Sequence, residues 1–223
     1  MHVPAAASPR PDDVPACSRP AEALYAIVPV KDPRHGKSRL SGSMDPAARE
    51  ALNRRLMEST LNRSVAALGG RRTVVVSTSD EVLAYGRRLG CLGVAEGADA
   101  DLNAALAQAA AVALADGAQA LLVIPADLVL MTVEDLCEAR EAVLDATGMV
   151  IWPDRRAEGT NLLGLRPPRA DLFRFGDASC DRHRAAASDA GIALRVIQHA
   201  RISFDLDTPE HLLGWRGLTE SGS

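Results

Sequence analysis

Aromatic residues make up 3% of this 223-residue chain, so its core must be built from Ala, Val, Leu and Ile. At 47% hydrophobic residues there is enough of them for a sizeable core. No apolar run approaches the ~20 residues of a membrane-spanning helix. Leu121 to Pro125 is typical of the longest. Residues 1 to 23 have neither a basic segment nor an apolar one, so no secretory signal is visible and a cytoplasmic chain is expected. The four cysteines, Cys17, Cys91, Cys137 and Cys180, show no C-x-x-C spacing and no histidines at zinc-site distances, which predicts ordinary reduced thiols. A net charge of −4 lacks the basic excess expected of a nucleic-acid or anionic-membrane surface.

Catalytic signatures are missing too. There is no G-x-S-x-G elbow, no H-E-x-x-H pair and no recognised Cys–His arrangement. His2, His35, His183, His199 and His211 are dispersed, and a lone histidine is more often a surface residue than a catalyst. A reaction that needs no strong general base fits such a chain. Attack by an ionised phosphate oxygen on an α-phosphorus is one, because catalysis there reduces to positioning and charge stabilisation.

Lysine is the scarcest charged residue. Lys31 and Lys37 are the only two, and they share one short segment with Arg34, His35 and Arg39. Codon bias could leave two lysines side by side, but the three further basic residues favour a functional concentration.

Along the chain, residues 1–23 are rich in Pro and Ala and read as a disordered tail, with one domain over residues 24–223. Leu24 to Val30 reads as a buried strand, followed by a polar loop from Lys31 to Ser43. Asp45-Pro46 is an N-cap and N1 pair opening a helix that Gly69-Gly70 stops. Strands are predicted at Thr73–Val76, Ala120–Ile124, Met149–Trp152 and Thr160–Leu165, and near Leu194 and Ile202. Helices are predicted at 81–89, 102–115, from Thr132 with Asp135 in a capping box, near 179–190 and after Pro209. The alternation predicts an α/β fold, a mostly parallel sheet with helices on both faces.

Four segments could carry chemistry. The loop Lys31-Asp-Pro-Arg-His-Gly-Lys37-Ser-Arg39 follows the first strand, where α/β proteins bind ligands, and its charge suits a triphosphate. It is not a P-loop, since that motif needs Gly at position 31. Both lysines lie outside any apolar periodicity, so little packing is expected of them. Asp127 directly follows a buried strand and could ligate Mg²⁺ alongside substrate phosphates, or simply cap a turn. In Ser203-Phe-Asp205-Leu-Asp207-Thr-Pro-Glu210, alternation puts the two aspartates on one face, while Thr208 and Pro209 suit a helix start. Finally, Glu158-Gly-Thr160-Asn161 and Phe175-Gly176-Asp-Ala-Ser179 with His183 could cradle a small anion, or be turns plus a cap.

These motifs occur in one order: Ile27-Val-Pro-Val-Lys31, Lys37-Ser-Arg-Leu40, Pro125-Ala-Asp-Leu128, Gly159-Thr-Asn161, Phe175-Gly176 with Ser179 and His183, and Asp205-Leu-Asp-Thr-Pro-Glu210. Together they resemble the 2-phospho-L-lactate guanylyltransferase family of coenzyme F(420) biosynthesis, over about Tyr25 to Trp215. The resemblance implies a nucleotide-diphospho-sugar transferase (GT-A-like, Rossmann-like) fold and an Mg²⁺-dependent transfer of GMP from GTP, with pyrophosphate released. The acceptors it implies are 2-phospho-L-lactate, phosphoenolpyruvate or 3-phospho-D-glycerate, the product passing to a downstream transferase. It places Lys31, Lys37 and Arg39 on the GTP phosphates as the catalytic cations. It places Asp127 with Asp205, Asp207 or both on the metal, and Thr160, Gly176 and Ser179 on the acceptor. The chain departs from the family at His35-Gly36, where two small apolar residues are usual, and at Asp177-Ala178, where a Gly-rich turn is usual. Two other readings compete. A molybdenum-cofactor guanylyltransferase would carry a Gly-rich loop where this chain has Lys31-Asp-Pro-Arg. A non-catalytic nucleotide-binding subunit should have lost one of the carboxylates or lysines, which are all present.

Overall fold

Strands β1 (Leu24–Pro29), β2 (Thr73–Ser77) and β4 (Ala120–Val123) are apolar runs buried on both faces apart from Pro29, as central parallel strands must be. In the computed structural model, which describes residues 23–97, 101–207 and 210–213, they form the middle of a seven-stranded sheet. Its other strands are β3 (Leu92–Ala95), β5 (Gly148–Pro153), β6 (Thr160–Arg166) and β7 (Leu194–Val196). The order is β3-β2-β1-β4-β6-β5-β7. All neighbours pair in parallel except β6, which runs antiparallel to both β4 and β5.

Alternation along the strands divides the core in two. Ala26, Val28, Val75 and Leu122 pack towards α1 (Pro46–Leu68), α2 (Asp80–Arg88) and α4 (Val133–Leu144). Tyr25, Ile27, Val74 and Leu121 pack towards α3 (Leu102–Ala115) and α5 (Ser179–Asp189). Each fully buried Leu, Ile or Val stabilises the fold by ~1.5–3 kcal/mol relative to exposure. Ala105, Ala109, Ala110 and Ala113 of α3 are buried against the sheet, their small side chains letting the helix lie close.

The helix starts follow their capping chemistry. Asp45 accepts a hydrogen bond from Ala48 N at 2.9 Å ahead of Pro46, and Thr132 with Asp135 forms the reciprocal capping box. Two elements differ from expectation. β3 is short and only half buried, so it lacks the apolar run that marks the central strands. Ile202 lies in a turn instead of a strand: Ser203 N donates to the His199 carbonyl, and Ile202 N donates to His199 Nδ1 at 3.3 Å. Those bonds satisfy groups that a ladder would otherwise have taken.

Cys91 and Cys180 are buried free thiols, but Cys137 is disulfide-bonded, against the expectation of four reduced cysteines. The expected tail (residues 1–22 of it) and the Thr208-Pro209 helix start lie outside the described residues. No helix among the described residues is long and apolar enough to cross a membrane.

From β1 the sheet grows through β2 and β3 on one side, and β4 adds on the other. The loops leaving β1 and β4 therefore part at a topological switch point, where open α/β sheets form their ligand crevice.

Candidate active site

The loop leaving β1 is built on Asp32. Its buried carboxylate accepts from Arg34 N at 2.9 Å and from the Arg34 guanidinium, the closest contact being 2.5 Å. That pairing holds its pKa down at about 2. Asn53 of α1 pins the next turn by donating to the Pro33 carbonyl at 2.7 Å. A Cβ at Gly36 would lie 2.7 Å from Asn53 Nδ2, so a side chain there would require the Asn53 amide to move. A 3₁₀ turn, Ser38–Leu40, then drives Leu40 into a small apolar cluster with Leu52, Leu56, Leu206 and Leu212.

The three cations of this loop part company. Lys31 is exposed and Arg39 is 72% exposed, but only 9% of the Lys37 side chain reaches solvent. Lys37 Nζ donates to Asp127 Oδ2 at 3.0 Å and to Asp207 Oδ1 at 2.6 Å. Arg39 stands 3.7 Å from the other oxygen of Asp207. Lys37 is thus largely buried, although its polar surroundings in the sequence led to the expectation of little packing; the signal that could have warned of this lies in the distant aspartates. Burial opposes its charge, but the two carboxylates outweigh that and raise its pKa.

Asp127 follows β4 by a short loop, and its carbonyl accepts from Leu206 N at 3.2 Å. This bond joins the β4 loop to the segment 204–207. Phe204 and Leu206 are buried there while Asp205 and Asp207 face the site, the expected alternation without a strand ladder. Burial, then the Asp127 charge, push the Asp205 carboxyl up. For Asp207 burial acts the same way, but the Lys37 ammonium and Arg39 overcome it and hold the group down.

The second set lies at the start of β6. Being antiparallel, β6 has its first residue on the same sheet rim as the carboxyl ends of β4 and β5. Thr160 N donates to Ser179 Oγ at 2.8 Å, and Thr160 Oγ1 lies 3.0 Å from His183 Nδ1. Arg174 N donates to His183 Nε2 at 3.0 Å, so that nitrogen must be the acceptor. Burial lowers the imidazole pKa to about 4, keeping it neutral with its proton on Nδ1. Thr160 Oγ1 therefore faces the protonated Nδ1 of His183, which the Ser179 backbone carbonyl also approaches. Ser179 Oγ is the acceptor for Thr160 N, so the two side chains are fixed against each other. Asn103 fixes the neighbouring turn by accepting from Phe175 N at 2.8 Å and donating to its carbonyl at 3.1 Å. Gly176 has φ +120° and Ala178 φ +50°, so the Asp177-Ala178 departure falls on a left-handed position that glycine suits better. The Asp177 side is exposed.

Two residues of the rim carried no earlier prediction. The Asp154 carboxylate accepts from the backbone N–H of Arg156, Glu158 and Gly159, at 3.0, 3.0 and 2.9 Å, and shapes the loop before Thr160. Pro153-Asp154 with Gly159 five residues on is the signal for such a side-chain-capped turn. Within it the Arg155 guanidinium lies over the Phe204 ring, 4.5 Å from the centroid, beside Asp205. Arg155 thereby ties the Thr160 loop to the carboxylate segment.

Two other features lie apart from the Lys37, Asp127 and Asp207 contact. Asp135, Glu138 and His199 offer ligand atoms within 4.8 Å of one another, but Asp135 is already held by Thr132 N and by the Arg201 guanidinium. A surface cleft of about 450 Å³ is lined by Arg169, Arg174 and Arg182 among others, and none of Lys31, Lys37, Asp127, Asp205 or Asp207 borders it.

Comparison with known proteins matches residues 24–215 to the family described as Guanylyl transferase CofC like. A phosphoenolpyruvate guanylyltransferase of Rubrobacter xylanophilus is 42% identical over 192 residues, covering 85% of this chain and 91% of that protein. A 2-phospho-L-lactate guanylyltransferase of Methanothermobacter thermautotrophicus is 33% identical over 190 residues, 84% of this chain and 81% of that protein. Among solved structures, a Desulfovibrio desulfuricans protein assigned as a nucleotide-diphospho-sugar transferase superposes with a TM-score of 0.64 at 16% identity, covering 83% of each chain. That likeness establishes the expected fold.

Proposed function

Because the chain belongs to the CofC-like guanylyl transferase family and is a nucleotidyltransferase, we propose that it moves GMP from GTP onto the phosphate of a small phosphorylated three-carbon acid, releasing pyrophosphate, within coenzyme F(420) biosynthesis. The observation that carries this reading is the meeting of Lys37 with Asp127 and Asp207, which brings the cationic loop of β1 to the carboxylates behind β4. Such a site can hold a triphosphate on one side and a divalent cation on the other.

Lys31, Lys37 and Arg39 would neutralise the triphosphate, and Asp127 with one or both of Asp205 and Asp207 would hold Mg²⁺. An all-oxygen carboxylate set suits that ion, and the Lys37 ammonium between two of them already marks the place as one for positive charge. When bound, Mg²⁺ would supply charge stabilisation at the α-phosphoryl oxygens. The hydroxyls of Thr160 and Ser179, which lie together at the start of β6, and the backbone at Gly176 would hold the acceptor. An acceptor phosphate oxygen, ionised at neutral pH, would attack the α-phosphorus as its bond to the bridging oxygen breaks and pyrophosphate leaves. No general base is then required, in keeping with His183 being buried, neutral and occupied on both nitrogens.

Phosphoenolpyruvate, 2-phospho-L-lactate and 3-phospho-D-glycerate are the acceptors to compare, and the relative at 42% identity makes the first the one to start from. Asp177 is exposed, so no inward carboxylate there selects among the three acids. Incubation with GTP, Mg²⁺ and each acid in turn should release pyrophosphate with at least one of them. Release with none, from protein that binds GTP, would sink the proposal.

A further inference from the structure

Asp127 and Asp207 each aim a carboxylate oxygen at one ammonium, that of Lys37, at 3.0 and 2.6 Å. Resting on the metal reading above, we propose that Lys37 is a built-in substitute for the divalent cation: its ammonium holds the carboxylates in the ligand-free protein and leaves them for the triphosphate when metal and nucleotide arrive.

Charge is the first argument. Asp205 stands close enough for the Asp127 and Asp207 charges to act on it, so three carboxyl groups share one half-buried place. Unpaired, they would repel, and Lys37 is the buried cation among them.

Geometry is the second. Mg²⁺ binds oxygen at ~2.1 Å and draws its ligands tightly together. Among the described residues, Asp127, Asp205 and Asp207 do not form a set whose ligand atoms all lie within 4.8 Å of one another. The ammonium lies between Asp127 and Asp207, so these carboxylate oxygens would become available to an ion only as Lys37 releases them.

The third is the backbone. Lys37 sits at φ +54°, in the left-handed region, between a turn pinned by Asn53 and the anchored side chain of Leu40. With both flanks fixed, the movement falls to the flexible Lys37 stem, which can turn to a nearby phosphate without remodelling the loop. The consequence is thermodynamic coupling: a cation alone must displace Lys37, whereas a cation with a triphosphate offers the ammonium a new partner.

The test is Mn²⁺ binding to the full chain, followed by electron paramagnetic resonance and calorimetry, with and without GTP. Without nucleotide, Lys37→Met and Lys37→Gln should bind Mn²⁺ at least ten-fold more tightly than the parent. GTP should then tighten Mn²⁺ binding far more in the parent than in either variant. Thermal melts guard against misfolding: Mn²⁺ alone should raise the melting temperature of the Lys37 variants more than that of the parent. If Asp127→Asn loses Mn²⁺ in the presence of GTP while both Lys37 variants bind it no better than the parent, the metal reading stands and the substitute role falls. If no protein-bound Mn²⁺ is found in any arm, the metal reading falls and takes this inference with it.

Discussion

Leu40 and Leu206 are both fully buried in one small cluster with Leu52, Leu56 and Leu212, although they come from opposite ends of the described chain. Leu40 closes the cationic loop and Leu206 lies between the two aspartates. Their contact region therefore sets how far Lys37 is from Asp207. Leu206→Ala should cost ~2–5 kcal/mol, as truncation of a buried Leu does, and lower turnover as well. Urea denaturation with parallel pyrophosphate assays checks both. Parent-like turnover in a destabilised variant would leave the cluster a purely structural role.

Asp127→Asn should cut pyrophosphate release by at least a hundred-fold while the melting temperature stays within a few degrees. A neutral amide is a poor Mg²⁺ ligand, yet it can still accept a hydrogen bond from Lys37. Near-normal release would remove Asp127 from the metal set.

Ala178→Gly should stabilise the protein. An L-residue in the left-handed region costs ~1–2 kcal/mol, and the added freedom of an unfolded glycine gives back ~0.5–1 kcal/mol of that gain. The net effect corresponds to a melting temperature higher by roughly 1–4 °C. Ala187→Gly, a buried position inside α5, is the control and should lower it. A fall in both variants would contradict the strain at Ala178.

His183 makes stability depend on acid. Its folded pKa, about 4, lies below the ordinary imidazole value of 6.5, so the unfolded chain binds the proton more readily. The contribution is complete above pH 6.5 and is lost as pH falls from there towards 4, by at most ~3 kcal/mol. Urea unfolding at several pH values should show this slope in the parent and a flatter one in His183→Gln. Identical slopes would assign the acid sensitivity to other groups.

Much of the fold could be read from local pattern because its central strands are unbroken apolar runs and its helices carry side-chain caps. Asp45, Thr132 and Asp135 do in space what their spacing announces. β3 escaped because a half-buried edge strand carries little apolar signal, and Ile202 misled because a turn can bury an isoleucine as well as a strand can. In the site, residue types and their order pointed to Lys37, Asp127 and Asp207, but not to their contact. That contact depends on α1 and the apolar cluster holding two distant segments together, and no spacing rule encodes it. Arg155 was invisible for the same reason: its partner, Phe204, lies on another segment.

The reversed direction of β6 shapes how such a protein can change. Were β6 parallel to its neighbours, Thr160 would emerge on the opposite rim of the sheet, out of reach of the β4 loop. Running backwards, it lets one unbroken stretch, residues 154–183, furnish the Asp154 loop, Thr160, Gly176, Ser179 and His183. The cations and carboxylates are drawn from elsewhere in the chain. Substitutions within that one stretch would therefore reshape the rim around Thr160 while leaving the Lys37, Asp127 and Asp207 contact as it is.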